Sequence, residues 1–437
     1  MAKIKKPAFA KATAKRNPPS SRGTTARRSA PLLYGATARR RKNNMKARKE
    51  KQPRIYMDYG AATPVDPRVL KSLSRFPSEV FGNTMSLHSF GQEAKAALEE
   101  SREILADLIN AKPQEIIFTG SATESNNLAL KGIASANKEK GNHIIISPIE
   151  HPCVGESAKW LESQGFEVTK LKVDQYGLVD PKEVESLIKR ETILVSVMHA
   201  NNEIGTIEPI AEIGKICREK GVYFHTDAAQ SLGKVPIDVE KMNIDLLTGS
   251  SQKMYGPKGA ACLFIREGTK INPIMHGGGQ EFGLRPSTVN IPAIYGFAQA
   301  SLFCKKEMAK ESKRLAQLRD RLVKEVMAKV DGAYLNGHPV KRLSNNANFR
   351  FEFIEGESLL IQLDMAGIAG STGSACSSAK LEPSHVLLAI GLRQQEAHGS
   401  LRLTLGRWTT SKEVDHVLKV LPGIISQLRE ISPFKKN

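Results

Sequence analysis

TILVSVMHANNEIGTIEPIAEIGKICREKGVYFHTD, residues 192–227, is the stretch that decides the fold. Its first eight residues form an apolar, β-branched run of strand length. Ile210–Lys220 then spaces its apolar residues as a helix does, and GVYFHTD (221–227) returns to strand character. Strand, helix, strand is a βαβ unit, and the pattern continues on both sides. EIIFTG (115–120), HIIIS (143–147) and EVTKLKV (167–173) precede it, and DLLTGS (245–250) and AACLFI (260–265) follow. Helical patterns at 123–136, 153–163 and 181–189 lie between, the last started by Asp180-Pro181 with Glu183 behind it. The alternation predicts an α/β fold on a largely parallel sheet. A long helical stretch, 292–330, leads into a different pattern: NNANFRFEF (345–353), a helix near 357–363 and SLRLTLG (400–406). We expect a large domain over 55–309, a small α+β domain over 310–437, and the opening residues of the first packed on the second.

Ligands of open parallel sheets bind beyond the carboxyl ends of the strands, so the residues there carry the functional reading. GSATESNN (120–127) follows a strand and opens a helix, whose free amides suit an anion such as phosphate; Ser121 or Thr123 reads equally as an ordinary N-cap. His151 in IEHPCV, Asn201-Asn202-Glu203 and Asp227 each stand just past a strand. A carboxylate at the depth of Asp227 needs a cationic partner, which a protonated pyridine nitrogen supplies; an Asp capping the next helix is the competing reading. Lys253 lies in TGSSQKMYGPKG (248–259), between Ser250-Ser251-Gln252 and a turn rich in Gly and Pro. A lysine for a Schiff base, an acid for a pyridinium and a helix start for phosphate are the set that a pyridoxal-phosphate enzyme needs. Cys376, in STGSACSSAK (371–380), adds a thiol on a second Gly/Ser-rich turn.

The formal charge of +19 belongs to one end. Residues 1–54 hold 18 Lys/Arg and one acid, Glu50, and the rest is nearly neutral. Thr13-Ala14-Lys15-Arg16, Thr25-Ala26-Arg27-Arg28 and Thr37-Ala38-Arg39-Arg40 recur every 12 residues, between Pro18, Pro19 and Pro31. Such a segment buries too little to fold and reads as a disordered basic tail, with some likeness to an organellar transit peptide. Nucleic-acid binding is expected only through it, by unspecific attraction to phosphate. The five cysteines are scattered, with no CxxC, which argues against a disulfide framework or zinc site and for a reducing compartment. No apolar run approaches the ~20 residues that a bilayer span needs, so no membrane partner is expected.

Together YMDYGAATPVDPRV, FTGSATESNNLALKG, Glu150-His151, MHANNEIGTIEPI, HTDAAQSLGKVPID, SSQKMYGPKG, HGGGQEFGLRPSTVN, EGESLL, GSACSSAKLEPSHVL and SLRLTLGR resemble, in order, the cysteine desulfurases of the class-V aminotransferase family. The resemblance covers residues 55–437. It implies the aspartate-aminotransferase-like fold (fold type I), with a mostly parallel seven-stranded sheet in the large domain, in a homodimer that binds pyridoxal 5'-phosphate. By position it implies Lys253 as the Schiff-base lysine, His151 stacked on the ring, Asp227 on the pyridine nitrogen, and Gln230 and Asn202 about the ring hydroxyl. Ala122, Thr123, Ser250 and Gln252 would serve the phosphate, with Thr288 reaching it from the other subunit. Arg402, with Asn202, would hold the carboxylate of L-cysteine, and Cys376 would take its sulfur for an iron–sulfur scaffold or a thiolation relay. Selenocysteine lyase, or another aminotransferase of the class, is the alternative reaction. Cytoplasm is the expected location, or the mitochondrion if the tail is a transit peptide. Three departures stand out: Gln252 where many relatives have His, Pro286-Ser287 where Ser and Gly are common, and an ending at ISPFKKN without the longer tail by which close relatives dock a scaffold.

Overall fold

The computed structural model describes residues 54–372 and 383–433. Cys376 and the basic tail through residue 53 therefore lie outside the described residues. The strands, in chain order, are β1 (Ile55–Tyr56), β2 (Ile116–Thr119), β3 (His143–Ile146), β4 (Glu167–Lys170), β5 (Thr192–Ser196), β6 (Tyr223–Asp227), β7 (Leu246–Ser250), β8 (Ala261–Ile265), β9 (Ala333–Asn336), β10 (Asn346–Phe351), β11 (Ile368–Ala369) and β12 (Ser400–Thr404). Seven of them make one sheet in the order β2-β8-β7-β6-β5-β3-β4. Its pairs are parallel except those of β8, which runs antiparallel to both β2 and β7. The βαβ expectation is met: Ile210–Lys220 is a helix between β5 and β6, and Pro181–Leu187 is a helix with Asp180 as its N-cap.

Helices cover both faces of this sheet, which is why β2, β3, β5, β7 and β8 are buried along their length, while the edge strand β4 (EVTK) is half-exposed. Phe118, Phe224, Phe264 and Phe297 belong to the core on one face, and Leu128, Ile133, Ile144 and Ile193 to the core on the other. Full burial of each such side chain contributes about 1.5–3 kcal/mol. Ile291–Lys329 is a single helix that leaves this core and ends beside an antiparallel sheet, β12-β10-β9. There Phe349, Phe351, Leu401, Leu403 and Leu421 form a separate core, which Ile55 and Met57 join from the start of the described chain. β1 pairs with β11 through Ile55–Ile368 and Tyr56–Ala369.

One turn beside the large sheet is held by charge. Glu281 (φ 48°) and Phe282 (φ 57°) both occupy the left-handed region, which non-glycine residues avoid. Both Glu281 carboxylate oxygens accept from the buried Arg102 guanidinium at 2.9 Å, and Oε2 also accepts from the Phe118 N–H at 2.7 Å. Removing Arg102 would leave a buried, uncompensated carboxylate. Arg102→Ala is therefore expected to lower stability by about 3–5 kcal/mol in denaturant titration. A loss below about 1 kcal/mol, the range of exposed pairs, would show that another contact holds the turn.

Candidate active site

Lys253, Gln230, Asp227, His151, Asn202, Ala122, Thr123, Ser250 and Gln252 lie beyond or at the strand ends of the large sheet, Thr288 lies on an exposed loop, and Cys376 is outside the described residues. Lys253 closes the short 3-10 turn Ser251–Lys253 that follows β7 directly. Its Nζ donates to the carbonyls of Gly60 at 2.9 Å and Ala61 at 2.5 Å. Gln230, three residues beyond the end of β6, donates Nε2–H to the same Gly60 oxygen at 2.9 Å. The segment after β1 is clamped over the lysine turn, because the Thr63 N–H and hydroxyl both donate to the Gln252 carbonyl, at 3.1 and 3.0 Å.

Arg402 reaches the same place from β12. Its Nη1 donates to the Asn202 carbonyl at 2.9 Å and its Nη2 to Asp58 Oδ1 at 3.0 Å, with the side chain buried. Lys253, Gln230, Asn202 and Arg402 are thus linked through the backbone and side chains of residues 58–61.

Asp227 ends β6 and is 4% exposed. Its Oδ1 accepts from the Ala229 N–H at 2.8 Å and its Oδ2 from Asn126 Nδ2 at 2.7 Å. The Asp therefore caps a turn, not a helix. Among the described residues no cationic group lies within ion-pair distance of this carboxylate. His151 is the N-cap of the helix Pro152–Ser163; its Nδ1 accepts from the Cys153 N–H at 3.2 Å and lies 3.0 Å from Cys153 Sγ. Burial pushes the His151 imidazole below the usual range; Asp227 opposes that shift, and Lys253 and His385 add to it.

Ala122 and Thr123 open the helix Ala122–Ala136, whose N-cap is Ser121, accepting from the Glu124 N–H at 3.1 Å. The capping reading of this segment and the anion reading are compatible, since one cap leaves other amides of the first turn available. Ser250 is buried at the end of β7, and the buried Ser251 hydroxyl has no partner among the described residues. Thr288 is exposed. It follows Ser287, which sits at φ 92°, the left-handed conformation that its glycine counterpart adopts freely; strain of this kind costs about 1–3 kcal/mol.

This arrangement fits pyridoxal phosphate. A buried carboxylate satisfied only by neutral donors suits a cationic ring nitrogen, a helix start that carries a Thr hydroxyl suits a phosphate, and the Lys253 amine lies one strand away from Asp227.

Several neighbours were not legible in the sequence. Gly60 and Ala61 act through carbonyls, Asn126 looks like any polar residue of its helix, and Asp58 meets Arg402 across most of the chain. The flanks of the Cys376 segment carry a clearer signal. Ser371 exchanges main-chain hydrogen bonds with Arg402 at 3.1 and 2.6 Å. Beyond the segment, Ser384 Oγ donates to Glu203 Oε2 at 2.5 Å and His385 Nε2 donates to the Glu150 carbonyl at 2.9 Å.

A family model described as aminotransferase class-V matches residues 55–417, and the chain belongs to that family of pyridoxal-phosphate enzymes. It is 52% identical over 382 residues to the cysteine desulfurase IscS 1 of Archaeoglobus fulgidus, covering 87% of this chain and 100% of that one. It is 48% identical over 382 residues to the mitochondrial cysteine desulfurase of Saccharomyces cerevisiae, covering 87% and 76%. Among solved structures, a NifS-like protein matches with a TM-score of 0.80 at 38% identity, over 86% of this chain and 100% of that one. SspA in complex with cysteine matches with a TM-score of 0.73 at 39% identity, over 82% and 100%. Within the class-V family the chain therefore falls among the cysteine desulfurases of the IscS type.

Glu150, beside His151, is buried and accepts from the Met198 N–H through Oε1 at 2.6 Å, while Oε2 has no partner among the described residues. Burial, with Asp227 nearby, pushes its carboxyl well above the ordinary 4.5. The folded chain thus keeps a proton that the unfolded chain releases, so Glu150 costs stability as pH rises from about 4.5 toward the folded value. Glu150→Gln, which keeps the acceptor and is always neutral, is expected to flatten the fall in melting temperature over that window. An unchanged slope would show that the carboxyl is ionised in the fold.

Proposed function

We propose that the chain converts L-cysteine to L-alanine and collects the sulfur as a persulfide on Cys376, for delivery to a sulfur-acceptor protein. The observation that carries this reading is the pairing, at neighbouring strand ends, of the Lys253 amine with a buried Asp227 that has only neutral donors. The SspA structure, described as a complex with cysteine, supports the substrate.

Bound here, pyridoxal phosphate supplies a carbonyl carbon for exchange between amines and an electron sink for the substrate's α- and β-carbons. Asp227 keeps the ring nitrogen protonated. Ala122, Thr123, Ser250 and Gln252 hold the phosphate, and Gln230 and Asn202 orient the ring hydroxyl. Arg402, whose planar guanidinium is already braced by Asp58 and the Asn202 carbonyl, receives the substrate carboxylate. Lys253 would anchor the cofactor through Nζ, and the same amine would move the α-proton of the substrate. His151 handles a proton at Nε2.

The Cys376 thiolate attacks the substrate sulfur: an S–S bond forms, the C–S bond breaks, and its electron pair ends as a C–H bond of alanine. No outside oxidant or reductant is needed. Cys376 lies five residues beyond Ser371 and eight before Ser384 in the sequence, and both flanking residues are tied to the site.

The chain acts as a homodimer in this reading, with Thr288 serving the partner's phosphate. Exposed Phe81, Leu87, Phe90, Met275 and Phe282 supply apolar surface for such contact. We place the enzyme in the cytoplasm with residues 1–54 as an accessory extension, so a chain lacking them is expected to keep full desulfuration.

Lys253→Ala is expected to lose the absorbance of lysine-bound cofactor and all alanine formation. Cys376→Ala is expected to keep the coloured cofactor and lose the persulfide. A Cys376→Ala chain that still passed sulfur to an acceptor would remove Cys376 from the pathway.

A further inference from the structure

Cys153 takes no part in the chemistry above, yet its hydrogen bonds have a direction that can be read. Asn126 is fully buried, and its Nδ2 lies 2.7 Å from Asp227 Oδ2. A carboxylate accepts, so the group facing it is the amide NH2. The same nitrogen is 3.1 Å from Cys153 Sγ, which therefore receives the second amide hydrogen. On its other side Sγ is 3.0 Å from His151 Nδ1. Nδ1 already accepts the Cys153 backbone N–H at 3.2 Å, so it presents a lone pair. The Thr123 hydroxyl is a further hydrogen-bond partner of this side chain; in the sulfur–nitrogen contact itself, the thiol's own hydrogen is the one that can lie between the two atoms. The chain of donors runs from Asn126 to Asp227 on one side, and from Asn126 through Cys153 to His151 on the other.

We propose that Cys153 is a positioning residue for desulfuration: its thiol donates to His151 Nδ1, holds the imidazole proton on Nε2, and joins that ring through Asn126 to Asp227. The inference deepens the reading of His151 as the proton-handling group and rests on it. An imidazolium must carry hydrogen on Nδ1, where two donors already point. The thiol and the backbone N–H therefore favour the neutral ring, whose Nε2 edge stays turned away from the helix.

The charged and titratable groups around His151 divide. Asp227 favours the cation, Lys253 and His385 oppose it, and burial opposes it most. Around Cys153, burial first and then Asp227 and Glu150 push the thiol up to about 12, with Asn126 and Thr123 acting the other way. The thiol stays protonated and keeps donating. Cys153 is accordingly a hydrogen-bond donor and not a second sulfur acceptor, which distinguishes it from the role given to Cys376.

The test compares the full-length chain with its Cys153→Ala and Cys153→Ser variants, with the cofactor bound and after its removal. Diethylpyrocarbonate labelling of the His151 peptide, followed by mass spectrometry across the histidine range, gives the imidazole titration without turnover. Cys153→Ala is expected to raise the His151 pKa by about half to one unit, the size of one neutral hydrogen bond. Cys153→Ser, whose hydroxyl can donate, is expected to stay near the parent. The acid limb of kcat/KM should move with the labelling in each case.

An unchanged titration in Cys153→Ala overturns the proposal, and so does an equal shift in both variants, which would mean packing alone. Should Cys153→Ala not fold, persulfide mapping of the unaltered chain after one turnover decides. A protected, unmodified Cys153 is expected, and a persulfide there overturns the donor role. Because the His151 titration needs no substrate, failure of the desulfuration reading would leave it measurable and separate.

Discussion

The carbonyl oxygen of Gly60 is the acceptor on which the site depends. It takes hydrogen bonds from Lys253 Nζ and Gln230 Nε2, so both of its lone pairs are engaged by residues from the ends of β7 and β6. The amide of the same residue donates to Thr404 Oγ1 at 2.7 Å, on β12 of the small sheet. A side chain is crowded here by contact, not by φ: a Cβ on Gly60 would come within 3.1 Å of Thr404 Cγ2 and 3.5 Å of the Arg402 guanidinium carbon, so Thr404 would have to give way. One residue therefore sets the spacing between the amine at the end of the large sheet and the guanidinium rising from the small one. Strain anywhere in residues 58–63 would be felt at both.

What the sequence reveals and what it hides follow from this construction. Strands buried on both faces advertise themselves as apolar runs, so the inner strands of the large sheet are readable, as is the carboxyl-end location of Lys253, Asp227 and His151; the half-exposed edge strand β4 (EVTK) carries no such run. The antiparallel course of β8 was not readable, because a short apolar run carries no direction. Gly60 and Ala61 were hidden for a different reason, since a residue that works through its carbonyl leaves no side-chain signature. Asn126 was hidden because its helix start was already accounted for by the Ser121 cap. In the sequence Cys153 looks like one of several scattered thiols; its partial burial and its distances to Asn126 and His151 separate it from Cys217 and Cys262, which are buried in the cores.

The acids around the site are sorted by their partners. Glu150, Glu203 and Glu208 are buried with hydrogen bonds from a backbone N–H or a hydroxyl, and burial pushes each of them up, Glu208 to about 8. Asp58 instead meets the Arg402 guanidinium as an ion pair. Asp227 meets neither a guanidinium nor an ammonium among the described residues. It is a buried strand-end carboxylate held by two neutral donors, Asn126 and the Ala229 N–H, and this setting suits the cationic ring nitrogen proposed for it.

That sorting also explains why the imidazole beside it is best kept neutral. A cation on His151 would compete with the proposed ring nitrogen for the field of Asp227, the carboxylate that acts on this imidazole, in a setting where burial makes every such interaction stronger. Filling Nδ1 with two donors removes the competitor without moving the ring. Asn126 serves both ends of the arrangement, giving one hydrogen to the carboxylate and the other to the thiol that fills Nδ1. The protonation of the imidazole and the orientation of the acid are then set by one buried amide, held by the helix whose first turn presents Ala122 and Thr123.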